Sequence, residues 1–260
     1  MRHLPALLLT SAIVLMGNAA AAPLTLCFED IHQPPWTMPD GSGLNFDLLK
    51  RVEKLTGETF KYSARPWKRC MEETRAGLAD GMIGAADSPL RRQFSVPPLR
   101  DDGTPDPTKA MYGGTTHVFI RVGSNASWDG HAFLNPTGFV IAQRGYFVVE
   151  LLSQRGQTVK EVVKSTEDGL RMLAAGSADV AVLTGQMSSA MIEADPRFHE
   201  KIKLAAQPFV TFPYFLMFNR NVYAANPKRI EAIWSAIRDV RASAEYRALE
   251  VQESRPALKN

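Results

Sequence analysis

Two distant stretches of this chain use nearly the same words: "RAGLADGMIG" at 75–84 and "LAAGSADVAVLTG" at 173–185. Each predicts a helix end, with Gly77 or Gly176 as the left-handed residue just past it, two linking residues, Asp80 or Asp179, and then a strand. The runs "GMIGA" and "VAVL" are short and uniformly apolar, the pattern of buried parallel strands covered on both faces. A helix that turns tightly into a buried strand is half of a βαβ unit. Two such halves, widely separated, predict two α/β lobes.

The chain can fill two such cores, since its 260 residues are 45% hydrophobic. A net charge of +3 is too small to imply a nucleic-acid partner. The first 22 residues stand apart from the fold: Arg2 opens a basic region, "LPALLLTSAIVLMG" is apolar, and "NAAAA" supplies the small residues that signal peptidase needs. Cleavage is expected after Ala21 or Ala22, and the apolar run is too short for a convincing membrane span. Export gives meaning to Cys27 and Cys70, a pair that can form a disulfide in an oxidising compartment or remain two buried thiols. Cys27 lies in the first strand, "LTLCF", and Cys70 shares a helical stripe with Trp67, Met71 and Thr74. One cysteine pair leaves a zinc cluster unsupported, and neither a metal nor a cofactor is expected.

Strands and helices alternate along the rest of the chain. A helix around 45–56 presents Leu48, Leu49, Val52 and Leu55 and ends at Gly57. The segment "SVPPLRDDGTPDPTKAMYGG" reads as a connection. In the second half, strands at "THVFIRV" and "GFVIAQ" precede a helix at "YFVVELLSQRG", and Ser165 with Asp168 makes a capping signature. "PFVTFPYFLMFNR" reads as an apolar strand, and Asn226-Pro227 opens the last long helix.

In this order, "LTLCFEDIHQPPWTMPDGSGLNFDLLKRVEKLTG", "AGLADGMIGA", "DSPLRRQFS", "GFVIAQRGY", "STEDGLRMLAAGSADVAVLTG" and "FPYFLMFNRN" resemble the blocks of bacterial extracellular solute-binding proteins, family 3, the amino-acid-binding type. The resemblance spans nearly all of the chain after residue 22. It implies the two-lobe periplasmic binding protein fold of type II. The chain would cross twice between lobes, with 23–112 and 213–260 in the first and 113–212 in the second. A small-molecule ligand would lie in the cleft, at the carboxyl ends of strands from both lobes, and hinge motion would close over it. The implied protein is a periplasmic monomer, not an enzyme, that hands a small polar, carboxylate-bearing ligand to an ABC permease.

The residues expected at that cleft follow from position and chemistry. Trp36 in its Pro-stiffened loop and Trp67 at a helix start would form rigid walls or fold onto their own lobe. Arg91 matches the arginine of the family's "T-P-E-R" block, whose planar fork clamps a ligand carboxylate. The shortened distance to "FS" leaves Arg92 as the alternative. On this reading Arg91→Ala abolishes binding and spares the fold. Asp87 and Ser88 would add hydrogen bonds, and Glu29 and Asp30 could meet a cationic group. Two positions depart from the family: Tyr146 stands where a small hydroxyl residue is usual, and Thr184 where an Asp commonly pairs with the ligand's ammonium. Other readings of the same fold are an exported dehydratase acting on prephenate-like acids, with Glu29, Asp30 and His32 near the cleft, and an accessory or sensory module with a protein partner.

Overall fold

A computed structural model describes residues 22–136, 138–185 and 188–254 of the chain, so the leader read at 1–22 lies, except for Ala22, outside the described residues. In chain order, β1 (Leu24–Glu29) leads through a long loop to α1 (Leu44–Thr56), β2 (Phe60–Arg65), α2 (Trp67–Arg75) and β3 (Gly81–Ala86). Then come α3 (Pro89–Arg92), β4 (Ser95–Val96), a 3-10 turn at Pro107–Lys109 and the long strand β5 (Tyr112–Arg121). A small hairpin, β6 (Ser127–Trp128) and β7 (Phe133–Leu134), precedes β8 (Val140–Gln143), α4 (Phe147–Gln154), β9 (Val159–Val163), α5 (Thr166–Ala174) and β10 (Val180–Thr184). The chain ends with α6 (Ser188–Ala194), β11 (Ile202–Leu204), β12 (Val210–Asn219), α7 (Arg220–Ala225), α8 (Pro227–Ala242) and α9 (Ala244–Glu253).

The echoed phrases fold alike. Past α2, Gly77 adopts φ 72° and past α5, Gly176 adopts φ 74°. In both turns the glycine N–H and the next N–H return to carbonyls of the last helical turn: Gly77 to Thr74 and Leu78 to Glu73, Gly176 to Leu173 and Ser177 to Met172. The aspartates then anchor the strand starts rather than facing a site. Asp80 accepts from the Thr25 N–H at 2.6 Å, and Asp179 from the Arg121 guanidinium.

The strands run in the order β2-β1-β3-β12-β5-β10-β8-β9, with β4 on β12 and β11 on β5. The ten-residue strands β5 and β12 knit its two halves together. β12 pairs through Tyr214–Phe218 with β3 and through Val210–Tyr214 with β5. Each half has apolar packing on both faces. In the first, α1 and α8 cover one face, around Phe46, Leu48 and Trp234, and α2 covers the other with Trp67 and Cys70. In the second, Phe119, Ala181 and Leu183 point one way and Val118, Val180 and Val182 the other. That double coverage is why both echoed runs are apolar without alternation.

Several details differ from the sequence reading. β5 begins at Tyr112, inside the segment read as connection, because Gly113 and Gly114 continue the ladder against Phe212 and Pro213. Gly114 is needed there, since a Cβ would lie 2.4 Å from the Tyr214 ring. Leu55 is exposed: the stripe of α1 runs from Val52 to Thr56, whose hydroxyl bonds back to the Val52 carbonyl at 2.7 Å. Cys27 and Cys70 are bonded, with Cα atoms 5.6 Å apart, and tie β1 to α2. Among the described residues no helix is long and apolar enough to cross a membrane, and no cluster of three His, Cys, Asp or Glu residues could hold a metal.

Candidate ligand-binding cleft

The carboxyl ends of β1, β3, β8, β9 and β10 converge on one cavity of about 440 Å³ between the two halves. In α/β sheets this end is where loops leave the strands and ligands are held. The cavity falls within the range of small-molecule sites. Its back wall is a stack of rings. Trp36 lies on Tyr112 with centroids 4.5 Å apart, Tyr112 on Tyr214 at 4.8 Å, and Phe212 tilts against Tyr214 at 5.1 Å.

The polar part of the wall straddles the seam. Glu29, at the end of β1, is only 6% exposed. Its Oε2 accepts from the Tyr146 hydroxyl of the opposite half and from Gln33 Nε2 at 2.7 Å, while Gln33 also reaches the Tyr146 oxygen. Burial pushes the Glu29 carboxyl up to about 8, and these donors only partly offset it. At neutral pH the group is therefore mostly the uncharged acid. Next to it, Asp30 is paired with Lys164 at 2.9 Å.

Arg91 is 3% exposed and spans the seam as well. Its Nη1 donates to the Ala86 carbonyl at 2.6 Å, its Nη2 to the Gly145 carbonyl at 3.1 Å, and its guanidinium lies 5.4 Å from the Trp67 ring. Burial pulls its proton affinity down and the nearby Glu150 carboxylate opposes that shift. Gly145 has φ +77°, and a Cβ there would stand 2.8 Å from the Lys68 side chain, so this turn packs closely on α2. Further links are Ser88 to Glu150 at 3.2 Å and Lys68 to Glu161 at 3.0 Å.

No family model and no curated protein matches this sequence. Solved structures do match. A histidine kinase sensor domain described as similar to periplasmic binding proteins superposes with a TM-score of 0.69 at 17% identity, covering 90% of this chain and 96% of its own. The fold is that of the periplasmic binding proteins. The GluR0 ligand-binding core of Nostoc punctiforme, in complex with L-glutamate, gives 0.66 at 19% identity, with 90% of this chain and 100% of that one covered. An amino-acid ABC transporter substrate-binding protein of Streptococcus pneumoniae, bound to L-arginine, gives 0.65 at 14%, with coverage of 92% and 97%.

Within this periplasmic-binding fold the expected residues divide. Glu29, Asp30, Trp36, Trp67, Arg91, Tyr146 and Thr184 line the cavity. Asp87, Ser88 and Arg92 do not. Asp87 and Arg92 face each other in a two-point ion pair with both contacts at 2.8 Å, and Arg92 also reaches the Gly103 carbonyl, so Arg92 ties α3 to the following loop. Ser88 caps α3 through the Arg91 N–H. The cavity arginine is thus Arg91, which is buried between the Ala86 and Gly145 carbonyls.

Thr184 spends most of its polar atoms within its own half, although its side chain also hydrogen-bonds with Tyr214. Its hydroxyl meets that of Thr116 at 2.8 Å, its N–H donates to Gln143 Oε1, and its carbonyl accepts from Gln143 and Thr166. Sequence reasoning missed Tyr112, Tyr214, Phe212, Gln33 and Gln143. Tyr112 lay in an apparent loop, and Tyr214 and Phe212 looked like strand core. The available signal was their place on the two strands that a two-lobe chain uses to cross.

Proposed function

We propose that this chain is a periplasmic solute-binding protein that captures a small carboxylate-bearing ligand between its lobes and delivers it to an ABC importer as a monomer. The lobes are taken as 23–112 with 213–260 and as 113–212, with 1–22 removed on export. The observation that carries this reading is the cavity walled from both halves by rings and hydrogen-bonding groups, at the strand ends of a binding-protein fold. Hinge opening at β5 and β12 would admit the ligand, and the links across the seam would re-form around it. The sensor-domain neighbour supports a second reading, a ligand sensor that passes its state to a partner protein.

A thermal-shift screen of the purified protein against amino acids, polyamines, dicarboxylates and aromatic acids tests the binding role. A ligand that binds only the folded state raises Tm with its concentration over Kd, and silence across the panel at millimolar concentration counts against a small-molecule role. Arg91→Lys keeps the charge and loses the fork. Calorimetry on this variant is expected to show at least about tenfold weaker binding of a carboxylate ligand, the loss of one charge-assisted hydrogen bond. Unchanged affinity would remove Arg91 from the site.

A further inference from the structure

Glu29 holds an unusual place in this cleft: a buried carboxyl on the cavity wall whose two hydrogen bonds both go to the same oxygen, Oε2. An uncharged carboxyl has one acceptor oxygen and one O–H. Two donors converging on Oε2 mark that atom as the acceptor and leave Oε1 as the oxygen on which the acid's proton would sit. We propose that Glu29 acts as a hydrogen-bond donor, presenting Oε1–H to a carboxylate or carbonyl of the ligand, so that the cleft selects aromatic acids lacking an α-ammonium over the matching amino acids.

The surroundings agree on each part of this. The groups facing Glu29 are Asp30 beside it, Lys164 after β9, Tyr146 before α4, Tyr112 on β5 and Tyr214 on β12. Lys164 is paired with Asp30, and its attraction for an ionised Glu29 is the smallest of the influences on that carboxyl, well behind burial. An α-ammonium is held most directly by an ionised carboxylate, and each other carboxylate on the wall has another task. Asp30 holds Lys164, Glu167 holds Arg171 and Arg197, and Asp168 closes the capping box with Ser165. Thr184, where the family resemblance calls for an aspartate, is uncharged. The ring stack of Trp36, Tyr112 and Tyr214 offers a planar apolar body its complement, and a ligand carboxylate would lie within the influence of Arg91.

This inference rests on the reading of the cleft as a ligand site, and the two are tested apart by calorimetry with benzoate, phenylacetate and indole-3-acetate against phenylalanine, tryptophan and phenethylamine. The acids should bind and the amino acids and amine should not, with affinity for the acids falling at least about tenfold between pH 7 and pH 9 as the donor proton is lost. Titrations in buffers of different ionisation enthalpy should show proton uptake on binding at pH 9. Glu29→Gln, a neutral donor of the same shape, should bind at pH 7 within about threefold of the original and lose the pH dependence. Binding of amines or amino acids only, affinity that rises with pH, or proton release on binding would overturn the donor role and leave the binding function standing. No binding by any compound would overturn both.

Discussion

Replacing Cys27 and Cys70 together by alanine is expected to lower the free energy of unfolding by about 4 kcal/mol. The bond joins positions 43 residues apart, and in the chain-entropy account that loop would otherwise be free in the unfolded state. The loop contains α1, β2 and the first turn of α2, so the bond restrains one side of the first lobe before tertiary packing does. Both residues are fully buried in the cluster formed with Trp67, Met82, Phe215 and Met217, and the substitution also removes packed sulfur atoms. Urea unfolding with and without reductant checks this. The original protein should lose stability on reduction and the double-alanine variant should not respond, and equal midpoints for the two oxidised proteins would show that the bond does not restrain folding.

The architecture was legible in the sequence where local chemistry repeats. A glycine past each helix, an aspartate at each strand start and an uninterrupted apolar run report only on their neighbours, so "RAGLADGMIG" and "LAAGSADVAVLTG" could be read without the rest of the fold. The cap at Ser165 and Asp168 is of the same kind, and the structure shows both of its bonds. The disulfide needed one more step, a strand and a helix face that the α/β order brings together.

The cleft was legible only in part, because its properties depend on which distant groups meet. Arg91 and Arg92 are adjacent and chemically equal, and only the orientation of α3 sends one into the seam and the other to Asp87. Tyr112 and Tyr214 are about a hundred residues apart in sequence, yet stack because β5 and β12 pair at those residues. Glu29 was read as a possible partner for a cation. Its burial against Tyr146 and Gln33 is what supports the donor role proposed above, and burial of this kind has no local signature in sequence.

The same burial makes closure of the cleft sensitive to pH. With the halves in contact the Glu29 carboxyl is pushed from an ordinary 4.5 up to about 8, chiefly by desolvation. Opening the seam returns it to water and toward the ordinary carboxylate range, so between these two values the closed form holds the extra proton. Closure is therefore fully supported below about 4.5 and loses support as pH rises toward 8, with a ceiling of about 5 kcal/mol set by the size of the shift. Spin labels at the exposed positions Leu78 and Val162, one in each half, should report a longer mean distance at pH 8.5 than at pH 5. Glu29→Gln should hold the short distance at both, because its side chain has no proton to lose. A pH-driven lengthening that persists in the Gln variant would place the switch elsewhere, and identical distances in both proteins at both pH values would mean that the buried carboxyl does not govern closure.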